Sequence, residues 1–329
     1  MKVIVPLAGK GTRLLPLTNS VPKPLVKVAG RPVMDYVMDA IAGLDLEELI
    51  VITGHLKEQV ERYVTAQYRL PARFVEQRTL DGTAGAINLA RPFVDGPVLI
   101  IFVDTLFDAD LAIVRTTDAD GILWAKEVED YQRFGVIVTD PRGHMARIVE
   151  KPDTPISRLA NIGLYYIKDW RTLFDGIAHV MGSRPGKGGE FYLTDAFQYM
   201  VDRGRKLVVG AVTGWYDCGK VDTLLATNHH LLEHGRARRP ARLPPGVRIT
   251  DPVYIADDVV LADSSIGPNV AIGAGSRVTG SRVSESILGD GVRVENATVV
   301  GSLVGDGEAI QGRELRAVVR AGGEEAPAR

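Results

Sequence analysis

Between residues 249 and 310 an aliphatic side chain returns every six positions: Ile249, Ile255 and Leu261; Ile266, Ile272 and Val278; Leu288, Val294 and Val300; Val304 and Ile310. Gly, Asn, Asp and Ser fill the gaps, as in IGPNVAIGAGSRV and LGDGVRVENATVVG. A period of six matches neither the 3.6 of a helix nor the 2 of a half-buried strand. It suits a coil in which each short strand forms one side of a triangle and turns its aliphatic residue inward, so that stacked coils share one core. About four coils fit the available length. A short left-handed parallel β-helix is the expectation for residues 247–315.

Upstream the rhythm is different. KVIVPL, ELIVIT, ARFVEQ, PVLIIFVD, DGILWAKEV, GVIVTD, LYYI and KLVVGAV read as strands, most of them bracketed by Gly, Pro or Asp. Between the first two, Val33, Val37, Ala40, Ile41 and Leu44 share one helical face, with Pro32 at the start and Gly43 near the end. A second helix runs through Gln59, Val60, Tyr63 and Val64. Strand, helix, strand in that order predicts an α/β region with a Rossmann-like, mostly parallel sheet over residues 1–235. The Pro- and Arg-rich RARRPARLPPG at 236–246 reads as a linker, and 316–329, ending in AGGEEAPAR, as a flexible tail.

The chain has 329 residues, a net charge of −2 and one cysteine, Cys218. That balance argues against a protein that coats nucleic acid or anionic membrane. One cysteine excludes an intramolecular disulfide and disfavours a Cys-based zinc site. MKVIVPLAG does not have the form of a signal peptide, and no apolar run reaches the roughly 18 residues that span a bilayer. A cytoplasmic protein with no membrane and no nucleic-acid partner is expected.

Directly behind the first strand lies VPLAGKGTRLLPLTNSVPKPL, residues 5–25. Glycines there suggest a loop whose backbone N–H groups face an anion. It is not a P-loop, because Gly9-Lys10 is followed by Gly11 rather than Ser or Thr. It is not a dinucleotide fingerprint, because Leu14 stands where the third glycine belongs. What remains is Ala8-Gly9-x-Gly11-Thr12-Arg13, then Pro16-Leu17-Thr18, then Pro22-Lys23-Pro24-Leu25.

These three spaced elements resemble the opening signature of the sugar-1-phosphate nucleotidyltransferases, also called nucleotide-sugar pyrophosphorylases, and within them the UDP-glucose branch. The resemblance continues in Gln77 with Gly82-Thr83-Ala84-Gly85-Ala86, in Asp104, in Phe134-Gly135-Val136, in Glu150-Lys151-Pro152, in Asn161-Ile162-Gly163 and in Trp215-Tyr216-Asp217-Cys218-Gly219. Val103 replaces the family's Gly before Asp104, and Phe134 replaces its Tyr. The resemblance implies nucleotide contacts from Leu7, Ala8, Gly9, Gly11, Thr12, Gln77, Gly82 and Thr83. It implies sugar-phosphate contacts from Gly135, Glu150, Lys151, Asn161 and Trp215, and Mg²⁺ ligation by Asp104 and Asp217. Arg13 and Lys23 are the implied catalytic cations.

The implied reaction joins a sugar 1-phosphate to a nucleoside triphosphate and releases pyrophosphate. The attacking phosphate is already an anion, so no general base is needed; the protein must hold two polyanions together and offset their charge. Gly9 and Gly11 let backbone amides approach phosphate, and Arg13 can fork across it. Asp104 and Asp217 each follow an apolar run, so both could reach the carboxyl edge of one parallel sheet. Two carboxylates there suit Mg²⁺.

Glucose 1-phosphate with UTP or dTTP is the first expectation. A mannose-1-phosphate guanylyltransferase is the alternative within the class, since GTAGA is similar to segments of that branch too. A bifunctional enzyme with an acyltransferase coil is a third reading, weakened because no His follows residue 234. A silent regulatory subunit is a fourth, opposed by the joint presence of Arg13, Lys23, Asp104 and Asp217. A homo-oligomer through the coil is expected. His229, His230 and His234 read as a solvated helix face, Cys218 as a buried inert thiol, and Lys10 as a secondary phosphate candidate.

Overall fold

The structure is a computed structural model, and it describes residues 1–320 and 324–327. The chain divides into two compact units. The first comprises Met1–Gly9 and Val37–Trp215, the second Lys10–Tyr36 and Tyr216–Arg329. The division therefore falls inside the two signature segments, between Gly9 and Lys10 and between Trp215 and Tyr216.

The first unit is built on a ten-stranded sheet. Its strands are β1 (Lys2–Pro6), β2 (Glu48–Thr53), β3 (Ala72–Glu76), β4 (Val98–Ile101), β5 (Thr105–Ala109), β6 (Gly121–Glu127), β7 (Gly135–Thr139), β8 (Met145–Glu150), β9 (Leu159–Ile167) and β10 (Leu207–Asp217). Their order is β3-β2-β1-β4-β9-β6-β10-β5, with β7 and β8 paired to one side. Strands β1, β2, β3 and β4 are mutually parallel. Strand β9 runs antiparallel to both β4 and β6, and β10 is parallel to β6. Strands β6 and β10 thus point the same way as β4, and the sheet is mostly parallel, as the strand–helix alternation predicts.

Ile4, Ile50, Ile52 and Ile100 are fully buried in the centre of this sheet, under Phe174 and Ile177 of the helix Trp170–Met181 and Phe197 of the helix Leu193–Asp202. Uninterrupted aliphatic strands such as VLII are what a sheet covered on both faces requires. Asp169 begins the first of these helices by accepting from the Thr172 N–H at 3.1 Å, an N-cap that satisfies one of the orphan donors of the first turn. The helix Val33–Ile41 forms where expected, but Ala40 is exposed while Met34 and Met38 are buried. Its first two turns are enclosed nearly all round, so a single-face pattern understates its burial.

The second unit contains the coil. One face stacks Arg248–Ile249, Ser265–Ile266, Arg282–Ser284, Thr298–Val300 and Glu314–Leu315. The second stacks Val253–Ile255, Val270–Ile272, Ile287–Leu288, Leu303–Val304 and Ala317–Arg320, and the third Val260–Ala262, Arg277–Thr279, Arg293–Glu295 and Ala309–Gln311. Every pairing between successive coils is parallel. This is the β-helix that the six-residue period predicts.

The spacing differs in one respect. Ile249, Ile266 and Val283 are seventeen residues apart, whereas Val283, Val299 and Leu315 are sixteen apart, all in register. Val299 is therefore the fully buried residue of its strand, and Val300, expected to point inward, is only partly buried. The shortened corners are held by serines. Ser281 N–H donates to Ser264 Oγ at 3.1 Å and Ala297 N–H to Ser281 Oγ at 3.1 Å. Along the next corner, Ser302 N–H donates to Ser286 Oγ at 3.0 Å and Ala317 N–H to Ser302 Oγ at 3.2 Å. A side-chain oxygen here replaces the strand carbonyl that a tighter turn cannot supply.

Arg238, in the segment read as a linker, bridges to Tyr254 and exchanges backbone hydrogen bonds with Val253 and Ile255. In the segment read as a tail, Ala317–Arg320 pairs antiparallel with Glu324–Pro327; residues 321–323 and 328–329 of that tail lie outside the described residues. Among the described residues no helix is long and apolar enough to cross a membrane.

Candidate functional site

In the first unit the expected residues form two groups. The first lies where β1, β2 and β3 end. Leu7 N–H donates to Ile52 O at 2.7 Å and His55 N–H to Ala8 O at 3.3 Å, so Leu7 and Ala8 are buried and offer backbone rather than side chain. A Cβ on Gly54 would stand 2.8 Å from Ala8 Cβ, a close approach that reading the loop alone does not reveal. Gly9 is exposed, and a Cβ there would meet nothing within 4 Å.

Gln77, at the end of β3, is anchored by its N–H to Thr53 O at 2.8 Å. Its side-chain Nε2 donates to Asp81 Oδ1 at 3.0 Å and to Gly82 O at 3.3 Å. Gly82 has φ 110°, and a Cβ there would lie 2.4 Å from Phe191 O. Thr83 Oγ1 accepts from the Leu193 N–H at 2.9 Å and so ties the start of the helix Leu193–Asp202 to this loop. Gly82→Ala is expected to cost about 2–4 kcal/mol, combining a glycine-only backbone conformation with overlap on the Phe191 main chain. A melting temperature within a degree of wild type would contradict it.

The second group surrounds the starts and ends of β7, β8 and β9. Asn161 Nδ2 donates to Gly135 O at 2.7 Å, and Tyr165 OH donates to Asn161 Oδ1. Thr194 Oγ1 donates to Glu150 Oε2 at 3.2 Å, and Lys151 Nζ stands 3.9 Å from Glu150 Oε1 and 5.2 Å from the Tyr192 ring centre. A Cβ on Gly135 would strike Asn161, Glu150 and Thr194 together, at 2.3, 2.8 and 2.9 Å. Burial raises the Glu150 carboxyl above the usual range, against the opposing pull of Lys151. Burial also pushes the Tyr165 hydroxyl upward, with Glu150 and Asp104 adding to the shift. Lys151 itself sits at φ 45°, a conformation costing an L-residue about 1–2 kcal/mol. Trp215 meets Phe134 edge-on at 5.0 Å, so the two aromatic elements of the resemblance are neighbours. An open cleft of about 490 Å³ runs beside Glu150, lined by Arg147, Tyr192, Asp195 and Gln198.

Thr194, Tyr165 and Tyr192 carry no sequence signal of their own. Asp81 had one, an Asp-Gly pair between a strand and a helix, which marks a turn but not a partner for Gln77.

In the second unit, Gly11 begins the turn Thr12–Leu14 at φ 64°, and a Cβ there would come within 3.0 Å of Thr18 and 3.1 Å of Lys23. Thr18 Oγ1 donates to Gly11 O at 2.9 Å. The loop thus turns Thr12 and Arg13 outward while Leu14 is buried; Lys10 is exposed. Lys23 occupies the turn Lys23–Leu25 between Pro22 and Pro24. Its Nζ is 3.5 Å from the position a Gly219 Cβ would take, and Asp217 Oδ1, which accepts from the Gly219 N–H at 2.6 Å, is 2.8 Å from that same position. Lys23, Asp217 and Gly219 therefore converge.

The loop is seated on the coil. Leu17, Val21, Leu25 and Val26 line a small apolar gap of about 40 Å³ with Ile287 and Leu303. Lys27 pairs with Asp290. Fully buried Asn228, on the helix Val221–Leu231, accepts from the Ala29 N–H at 2.9 Å and donates to Asn269 O at 3.2 Å. A Cβ on Gly30 would lie 2.1 Å from the Tyr254 ring. Burial raises the Tyr36 hydroxyl to about 12 despite nearby Arg236 and Arg31, and it donates to Val28 O at 3.1 Å. The rings of Tyr216, His230 and His234 stack at 4.0 Å, His229 Nε2 pairs with Glu233 at 3.0 Å, and Cys218 is buried.

Asp104 follows β4 by three residues and Asp217 ends β10, strands that run the same way in one sheet. Among the described residues no group of three or more His, Cys, Asp or Glu side chains is placed to hold a metal ion. Each is a carboxylate, the donor type of which Mg²⁺ takes one or two from protein, completing its octahedron with phosphate oxygens and water.

A mixed α/β sheet entered through a glycine-bearing loop and a parallel coil are the two frames in which these residues stand. Residues 2–234 match the Nucleotidyl transferase family. The chain belongs to that family, as the opening loop implies. It is 32% identical over 255 residues to the Bifunctional protein GlmU of Methanococcus aeolicus, covering 78% of this chain and 60% of that protein. It is 31% identical to UTP–glucose-1-phosphate uridylyltransferase AglF of Haloferax volcanii, covering 65% of this chain and 89% of the relative. A glucose-1-phosphate thymidylyltransferase of Streptomyces antibioticus is 29% identical over 316 residues, 88% of this chain and 87% of its own length. The fold is that of a UDP-glucose pyrophosphorylase solved with UDP-glucose, with a TM-score of 0.63, 24% identity and coverage of 71% of this chain and 98% of that one.

Proposed function

We propose that this protein transfers a nucleotidyl group from UTP or dTTP to a sugar 1-phosphate, most readily glucose 1-phosphate. The observation that carries the reading is the joined group Gly135, Glu150, Lys151, Asn161 and Thr194, a cation and hydrogen-bonding side chains gathered against a backbone kept bare of Cβ. Lys151 takes the sugar phosphate, while Glu150 and Asn161 address sugar hydroxyls. An oxygen of that phosphate attacks the α-phosphorus of the triphosphate in line. One P–O bond forms, the bond to the β-phosphate oxygen breaks, and pyrophosphate leaves with its electron pair; no proton need move.

The amides around Gly9 and Gly11 approach the triphosphate, with Thr12 beside them. Arg13 forks across the departing pyrophosphate, and Lys23 holds the α-phosphate. Bound Mg²⁺ would draw charge from the phosphate oxygens, with Asp104 and Asp217 as its protein ligands. Gln77 and Gly82 address the base, and the relatives named for uridylyl and thymidylyl transfer support that choice. Flat coil flanks support assembly into a homo-oligomer.

The test is a matrix of nucleoside triphosphates against sugar 1-phosphates, read by pyrophosphate release. UTP and dTTP are expected to exceed GTP and ATP by at least about tenfold in kcat/KM. Chelation by EDTA is expected to abolish turnover, and Mg²⁺ to restore it. Preference for GTP would transfer the assignment to guanylyl transfer, and undiminished turnover in EDTA would remove the metal.

A further inference from the structure

We propose that Asp81 sets the base specificity of this protein by holding the Gln77 amide in one orientation; this rests on the reading that Gln77 faces the base. The Gln77 side chain is buried, and its Nε2 lies 3.0 Å from Asp81 Oδ1 and 3.3 Å from Gly82 O. A carboxylate and a carbonyl can only accept hydrogen bonds, so both must be met by the NH₂ end of the amide. Turning the amide over would set Oε1 against two acceptors and forfeit both bonds. Gln77 is therefore left with Oε1, an acceptor, as the group it presents elsewhere.

Asp81 is itself fixed. Its N–H donates to Thr79 O at 3.0 Å, and its carbonyl accepts from the Phe191 N–H at 2.8 Å. The carboxylate occupies space that only a glycine at position 85 leaves open, since a Cβ there would stand 2.0 Å from Asp81 Oδ1. This close approach is the local reason for a glycine at position 85.

An acceptor in that place selects bases by their ring N–H. Uracil and thymine carry N3–H, and guanine N1–H, so each can donate to Oε1. Cytosine N3 and adenine N1 are lone pairs and would face another lone pair. The pyrimidine test is therefore UTP against CTP, which differ at this edge and hardly in size. Asp81→Asn removes the constraint, because an asparagine can turn its own NH₂ toward Gln77 and allow the reversed amide. Gly82 O stays as a weaker bias.

The experiment measures kcat/KM for UTP and CTP, with glucose 1-phosphate and Mg²⁺, in the wild type, Asp81→Asn and Gln77→Ala. The wild type is expected to favour UTP, and the UTP-to-CTP ratio to fall by at least about tenfold in both variants. A ratio unchanged in Gln77→Ala would remove Gln77 from the base and with it the reading beneath the proposal. A ratio that falls in Gln77→Ala but not in Asp81→Asn would overturn the role of Asp81 alone. Equal losses for UTP and CTP in Asp81→Asn would mark a merely structural residue and overturn it as well. Should Asp81→Asn not fold, Asp81→Ser, whose hydroxyl can donate as well as accept, is read by the same ratio.

Discussion

Arg13→Ala and Lys23→Ala are each expected to lower turnover by at least about 10²-fold, as the loss of a donor aimed at developing phosphate charge does. The two reach that outcome differently. Arg13 is exposed on the turn Thr12–Leu14, so its removal leaves the packing of the loop, which depends on buried Leu14 and Leu17, in place. The melting temperature of Arg13→Ala should stay close to wild type, and the loss should appear in kcat. Lys23 converges with Asp217 and Gly219. Its removal takes a cation away from a carboxylate as well as from the substrate, so KM for the triphosphate should rise alongside the fall in kcat. Arg13→Lys is expected to recover little, because a point charge does not reproduce a planar fork across two phosphate oxygens. Folded variants with turnover near wild type would show that this loop is not the catalytic one.

A chain ending at residue 240 is expected to lose turnover by a comparable or larger factor, although every candidate substrate contact lies upstream of it. The reason is the seat of the loop. Leu17, Val21, Leu25 and Val26 face Ile287 and Leu303, Lys27 pairs with Asp290, and Gly30 abuts Tyr254. Truncation exposes that apolar strip, and Arg13 and Lys23 stand on the same segment. The first unit carries its own buried core and should retain its sheet, which hydrogen exchange of β1, β2 and β4 would report. A point substitution separates seating from assembly. Leu303→Ala removes a buried side chain at the gap, with a cost of about 2–5 kcal/mol that falls on the contact with the loop. Its effect on turnover should exceed its effect on oligomer mass by light scattering. A truncated protein with a native sheet and undiminished turnover would leave the coil with assembly alone.

Local chemistry carried much of this in the order of the residues. Ile255, Ile272 and Val278 announce the coil because a stacked triangular turn imposes a period that no other element shares. The three elements of the opening loop announce the family through their resemblance to its signature, and the match over residues 2–234 agrees. Val300 shows where such reading stops. The corner before it is one residue shorter, so Val299 turns inward, and only the register between coils reveals which of two adjacent valines does so. Strands β5 and β8 have no such mark, since TLFDA and MARIVE take strand form from their partners rather than from a pattern of their own. In the sequence the Gln77 amide is donor and acceptor alike; in the structure Asp81 and Gly82 take its NH₂ group. Sequence order also assigns the loop 10–36 to the α/β region, whereas it clusters with the coil more than two hundred residues away. Periodicity and local motifs depend on neighbours along the chain and were legible from it. Which face a residue meets, which end of an amide is left for a ligand, and what a loop rests upon depend on contacts between distant segments, and only folding brings those together.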